Sequence, residues 1–300
     1  MSASKDDIED SAAPLVEHLA ELRNRLMWSA GAFILAMILA FPFAKSILGF
    51  LLQPIEQAMR DLGNPNPVMQ YTAPQELLFT YFHISVVAGL AMSFPIIAYQ
   101  LWRFVAPGLY RSEKQAFLPF LVASPVLFLL GAAFAQYIVT PMAMKFFLGF
   151  ADLPSMVSAT LSAMQGLAPA DGSAPVAPVP SDGIEIVFQG KVDETLGISL
   201  KLIIAFGLCF QLPVLLTLMG KAGLVSSRGL AGTRKYAIVL ILMVAALATP
   251  PDVMSQLTLF AAVYPLYEVS IFLIRRIEKK REAQMRADGT WVDEDEEDEA

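Results

Sequence analysis

Long apolar runs alternate with short polar turns along this chain. A bilayer core takes about 20 apolar residues of helix. On that measure the pattern predicts spans at about 27–44, 77–100, 116–139, 196–220, 236–249 and 255–274. Only Thr249-Pro250-Pro251-Asp252-Val253-Met254 separates the last two, so they form a tight re-entering hairpin. The 14 residues of 236–249 cover roughly 21 Å as a helix, against roughly 30 Å of hydrocarbon. Two short neighbours of this kind predict a locally thinned bilayer.

Weaker periodicities flank the spans. Leu15, Leu19, Leu22 and Leu26 form an apolar stripe at helical spacing, with Pro14 suited to the first turn. Glu17 and Glu21 lie on another face, and Arg25 follows Glu21 by four, the spacing of a helix-surface ion pair. Ile47–Leu62 is amphipathic and too polar to span; it predicts a short surface helix, ended by Gly63-Asn64-Pro65-Asn66-Pro67. Glu76 suits the N-terminus of span two. Pro141–Ala151 extends span three, and 166–183, rich in proline and alanine, reads as a flexible extracytoplasmic insert. Ile184–Gly190 reads as a short strand or extended segment. The domains expected are a disordered polar N-terminus over 1–14, a membrane domain over 15–275 and a charged, disordered tail over 276–300.

Composition agrees with an all-α polytopic membrane protein. Hydrophobic residues make up 56% of the chain, charged ones 16%, and mean hydropathy is +0.56. The net charge of −7 resides in the tail, where Asp293–Glu299 holds seven acidic residues and the rest sums to about zero. It gives no reason to expect nucleic acid. Lys and Arg gather before span one (Lys5, Arg23, Arg25), between spans two and three (Arg103, Arg111, Lys114), between four and five (Lys221, Arg228, Arg234, Lys235) and after span six. The positive-inside rule then puts both termini in the cytoplasm. The first 14 residues are polar and acidic and no small-x-small site follows span one, so that span reads as a retained anchor. Cys209 is the single cysteine, and His18 and His83 lie far apart without a ligand pattern, so neither a disulfide nor a metal site is expected. HExxH, GxSxG and P-loop motifs are missing, which argues against an enzyme and against a cofactor.

Polar residues within spans are costly and need a reason. Gln211, just before Leu212-Pro213, is either interhelical glue or a polar contact for a partner helix. Glu268 sits seven residues before Arg275, near the wet end of span six. Asp252 reads as part of a capping box that begins at Thr249, with proline at the first helical position. The turn Leu101–Lys114 joins Phe104, Pro107-Gly108 and Tyr110 to Glu113, which either caps span three or faces a ligand.

Four motifs resemble the TatC family of the twin-arginine protein translocase, over nearly the whole chain. They are His18-Leu-Ala-Glu-Leu-Arg-Asn-Arg-Leu26, Tyr99-Gln-Leu-Trp-Arg-Phe-Val-Ala-Pro-Gly-Leu-Tyr110 with Glu113, Phe206-Gly-Leu-Cys-Phe-Gln-Leu-Pro213, and Thr249-Pro-Pro-Asp-Val-Met-Ser-Gln256. The resemblance implies a cupped bundle of six transmembrane helices in the bacterial cytoplasmic (inner) membrane. It implies binding of twin-arginine signal peptides of folded cargo at the cytoplasmic face, and export driven by the proton motive force. Glu21 and Glu113 match the family's carboxylates for the paired arginines. Phe104, Arg23, Leu22, Pro107 and Tyr110 match positions around them. Gln211 and Pro213 are expected to meet partners within the membrane, and Asp252, Pro54 and Glu76 are candidates on the outer face. The implied partners are single-span TatA and TatB subunits, other copies of the chain, and lipid. The family often carries Glu where this chain has Gln211.

Overall fold

The computed structural model describes residues 5–61, 66–105, 118–149, 190–250 and 252–287, with side chains from residue 19 onward except at 102, 104, 105, 118 and 119. Helix α1 (Lys5–Ala40) runs unbroken from the amphipathic segment into the first span. Residues 5–14, expected to be disordered, are therefore helical. A 3-10 turn at Phe41–Phe43, with Pro42 near its start, leads into α2 (Ala44–Asp61). This is the helix expected over Ile47–Leu62, but it does not simply rest on a surface. Leu51, Pro54, Ile55, Ala58 and Met59 are buried, and Met144 packs against them. Lys145 closes the contact with an ion pair to Asp61 at 2.6 Å.

Helix α3 (Glu76–Val105) returns beside α1. The two approach so closely at Gly89 that a Cβ there would lie 2.7 Å from the Met37 Cα. Small residues commonly permit such contact between membrane helices. Helix α4 (Leu118–Phe134) passes through a π-helical turn at Ala135–Val139 and continues over 140–149, as the apolar run after Pro141 predicted. It packs against α5 (Val192–Cys209), where a Cβ at Gly131 would meet the Phe206 carbonyl oxygen at 2.5 Å. Two-residue strands β1 (Met69–Gln70) and β2 (Gly190–Lys191) pair in parallel, Met69 with Gly190, and join the two long loops at the Glu76 end.

The fourth span begins at Val192 rather than about 196, and it is broken. Helix α5 ends at Cys209 and α6 (Leu212–Lys221) starts anew. Pro213 lacks an N–H and its ring crowds the carbonyl four residues earlier, so the helix cannot pass through unchanged. A short helix α7 (Ser227–Gly232) precedes α8 (Arg234–Ala248) and α9 (Val253–Ala287). The fifth span is short as expected, with 15 residues. The sixth is not a short helix: α9 has 35 residues and includes 276–287, which the sequence suggested as disordered tail. Its apolar part is nonetheless brief. Arg234, at the first turn of α8, pairs with Glu268 through two hydrogen bonds of 2.8 and 2.9 Å. Only the stretch between Asp252 and Glu268 lies opposite α8.

Helical runs at Leu19–Asp61, Glu76–Leu101, Phe120–Gly149, Val192–Lys221 and Val253–Ala287 are long and apolar enough to cross a membrane, and α8 is a sixth apolar helix. Their outward faces are apolar too. Leu247 is 83% exposed and Leu35 59%. A water-facing surface does not carry so many exposed leucines, so lipid is the solvent of these faces. One buried cluster gathers around Phe206, Leu202, Val139 and Ile274, and a second, smaller one around Phe94, Phe128, Val214 and Leu218.

Candidate functional site

The N-terminal half of α1 and the C-terminal end of α3 meet at one end of the bundle. Glu21, Asn24, Arg25 and Trp28 recur at i, i+3, i+4 and i+7, so they share one face of α1. Gln100 and Arg103 share a face of α3 for the same reason. Together these six residues line a concavity of about 560 Å³. Arg25 donates from Nε to Glu21 Oε1 at 3.1 Å, and its Nη2 contacts the same oxygen. The ion pair read from the sequence is thus formed, and it lies on the wall of the concavity. The Arg25 side chain is 14% exposed and that of Glu21 37%. Arg25 Nη1 is buried and has no hydrogen-bond partner among the described residues.

Leu22 and Arg23 lie beside this face and are exposed. Phe104 is in the last turn of α3, but its side chain, and Pro107, Tyr110 and Glu113 entirely, fall outside the described residues, as do 166–183, 184–189 and 288–300. The structure therefore joins Glu21 to Arg25, Trp28, Gln100 and Arg103. Sequence reading named none of the last four as site residues, although the polar i, i+3, i+4, i+7 series on α1 was there to be found.

The intramembrane candidates resolve differently. Gln211 bridges helices: its Nε2 donates to the Ser124 carbonyl at 2.9 Å, and Ser124 Oγ donates to its Oε1 at 2.6 Å. Both ends of the amide are thereby engaged by α4, which is the glue reading. Pro213 is buried in the first turn of α6. A further buried amide, Gln136 in the π turn, went unread. Its Nε2 donates to the carbonyls of Phe50 at 3.3 Å and Leu51 at 3.2 Å. Phe50 would ordinarily bond the N–H of residue 54, which is Pro54 and has none. Buried Pro54 thus frees a carbonyl and Gln136 takes it.

At the Glu76 end, the Glu76 carboxylate reaches back to the Thr72 N–H at 2.8 Å and the Thr72 hydroxyl at 3.1 Å, covering donors at the start of α3. Thr80 Oγ1 donates to Asp193 Oδ1 at 3.3 Å, and His83 Nδ1 lies 3.4 Å from the same oxygen. Asp252 caps a helix, but not in the expected register. Its Oδ2 accepts from the Ser255 N–H at 2.6 Å, so Asp252 is itself the N-cap of α9. Thr249, the residue expected to fill that role, donates its hydroxyl back to the Ala245 carbonyl at the end of α8. Pro250 and Pro251 stand between them in the sequence.

These features define a multi-pass α-helical membrane protein with a polar concavity at one end of the bundle. The family model described as "Sec-independent protein translocase protein (TatC)" matches residues 17–261. The Magnetococcus marinus Sec-independent protein translocase protein TatC is 43% identical over 296 residues, covering 96% of this chain and 96% of that protein. Its Aquifex aeolicus counterpart is 36% identical over 274 residues, covering 91% of this chain and 100% of that one. A crystal structure of the twin-arginine translocase receptor TatC superposes with a TM-score of 0.65 at 37% identity, over 86% of this chain and 98% of that one. The chain belongs to the TatC family, and its work is protein transport.

Proposed function

We propose that the protein is the signal-peptide receptor and core subunit of a twin-arginine translocase in the bacterial inner membrane, with both termini cytoplasmic. The observation that carries this reading is the Glu21 concavity between α1 and α3. A carboxylate held at the edge of a bilayer offers a guanidinium charge-assisted, bidentate hydrogen bonds, strengthened where water is partly excluded. Glu21 receives one cargo arginine and Glu113 the other. Trp28 and Phe104 supply apolar or cation–π surface, while Leu22, Arg23, Pro107 and Tyr110 frame the site. The membrane domain over 15–275 works with TatA and TatB and with further copies of itself.

Transport across the membrane is driven by the proton motive force and eased at the α8–α9 hairpin. The 15 residues of α8 span about 22 Å, short of the roughly 30 Å hydrocarbon core. The Arg234–Glu268 pair fixes the polar boundary at that length. Such a mismatch favours a thinner bilayer beside the hairpin. The test of the receptor assignment is crosslinking of a twin-arginine peptide to Glu21→Ala and Glu113→Ala proteins in membranes. Each variant is expected to lose most of its crosslinking; undiminished crosslinking in both overturns the assignment.

A further inference from the structure

We propose that the outward face of α9, where the helix leaves the bilayer, is a binding site for anionic phospholipid, built from Arg275, Arg276, Lys279 and Lys280 beside the ring of Phe272.

The two sides of α9 differ sharply here. Ile271 and Ile274 are buried against the bundle. Glu278 continues that side and is taken by α7: its Oε1 accepts from the Ser227 N–H at 2.8 Å, and its Oε2 contacts the Ser227 hydroxyl. Phe272, Arg276, Lys279 and Lys280 recur at i, i+4, i+7 and i+8, so they share the opposite face, with Arg275 at its edge. All five are exposed. Glu278 is the sole carboxylate within 275–281, and it is turned inward. None of the four cations pairs with an acid among the described residues.

The cations stand at the edge of the hydrocarbon. Val269, Phe272 and Leu273 are the last large apolar residues of α9 that are exposed, Phe272 at 57%. Side chains on a helix lean towards its N-terminus. For this end of α9 that direction is back to the bilayer. Arg276 shows the lean: its guanidinium carbon lies 5.5 Å from the centre of the Phe272 ring, one turn nearer the membrane. A cation held over an exposed ring in this way is fixed at the interface. Lys279 and Lys280 follow one turn behind.

The charge selects the occupant. A zwitterionic headgroup brings a cation of its own into a face that already holds four unpaired ones. An anionic headgroup brings net negative charge and meets no such repulsion. Its acyl chains lie along Val269 and Phe272, and its phosphate meets Arg276 and the lysines. Basic clusters directly beside a span attract anionic lipid by about a factor of five for each Lys or Arg.

The test is native mass spectrometry of the full chain released from nanodiscs of phosphatidylglycerol and phosphatidylcholine in equal parts. The wild-type protein is expected to keep phosphatidylglycerol well above phosphatidylcholine. Arg276→Gln and Lys279→Gln should each lower that retention about fivefold, and the double variant further. Arg281→Gln removes the same charge from the side of α9 turned to Gly223 and should leave retention unchanged. A loss equal to that of Arg276→Gln would mean that net charge alone draws lipid, and the site falls. Excess inorganic phosphate should not displace the lipid; displacement would make this a site for free phosphate instead. Equal retention of both lipids by the wild-type chain also overturns the proposal. If neutralising the acidic residues of 293–299 then creates a preference, the occupant is the chain's own tail.

Discussion

Replacing Gln136 by leucine isolates the bond between the π turn of α4 and the proline of α2. Gln136 is 3% exposed and gives its Nε2 protons to the Phe50 and Leu51 carbonyls. Leu51 keeps the N–H of Ile55 as its helical partner, by position in α2. Phe50 does not, since Pro54 has no N–H to offer. The substitution therefore orphans one carbonyl in an apolar setting. Leaving a buried acceptor unmet costs about 1–3 kcal/mol, and interhelical hydrogen bonds in membranes average about 0.6 with a maximum of about 1.7 kcal/mol. Gln136→Leu should then destabilise by about 1–2 kcal/mol. Pro54→Ala returns an N–H to the Phe50 carbonyl, so in that background the same change should cost only a few tenths. The coupling between the two positions is about 1 kcal/mol. Equilibrium unfolding of the four proteins in mixed micelles measures it. Additivity within about 0.5 kcal/mol would refute the idea that Gln136 exists to serve the carbonyl Pro54 sets free.

Three further outcomes are expected. Gln211→Leu removes both bonds to Ser124 and should cost about 1–2 kcal/mol in the same unfolding assay; an equal loss in a Ser124→Ala, Gln211→Leu double variant relative to Ser124→Ala alone would contradict the bridge. Asp252→Ala should cost about 0.5–2 kcal/mol and speed amide exchange at Ser255, whose N–H it caps at 2.6 Å, with Asp252→Asn close to wild type; uncapped-like exchange in the Asn variant argues that charge, not capping, matters. Gly89→Leu forces a side chain against the Met37 backbone, 2.7 Å from its Cα, and should cost about 1–3 kcal/mol and abolish peptide binding at the concavity while circular dichroism stays helical; retained binding would mean that the α1–α3 spacing does not shape the site.

The spans were legible because apolar length is a strong local signal, and so were the hairpin at Thr249–Asp252 and the role of Glu76. What escaped has a common cause: its partner is distant in sequence. Gln136 is a lone amide in an apolar run, and its acceptors lie 86 and 85 residues upstream. Gln211 could be read two ways until Ser124, 87 residues earlier, was found against it. Arg25 was read correctly as the mate of Glu21, since that pair is local. That both face Gln100 and Arg103 depends on the crossing of α1 over α3, which no helical periodicity encodes. The capping register at Asp252 was misjudged because Thr249 has a competing use at the end of the preceding helix.

The π turn also alters how the third span counts its own residues. Buried positions before it fall at Ser124, Phe128 and Gly131, in step with 3.6 residues per turn. Within it Ala135, Gln136 and Val139 are buried, and after it Thr140, Ala143 and Met144, about one place late against the earlier series. One surplus residue has been stored in the wide turn, so the later segment keeps its angular phase instead of rotating by about 100°. A helical wheel drawn at constant pitch through 118–149 would point Lys145 away from Asp61. Deleting one residue from 135–139 should be absorbed as an ordinary α-turn, with the phase of everything beyond it unchanged.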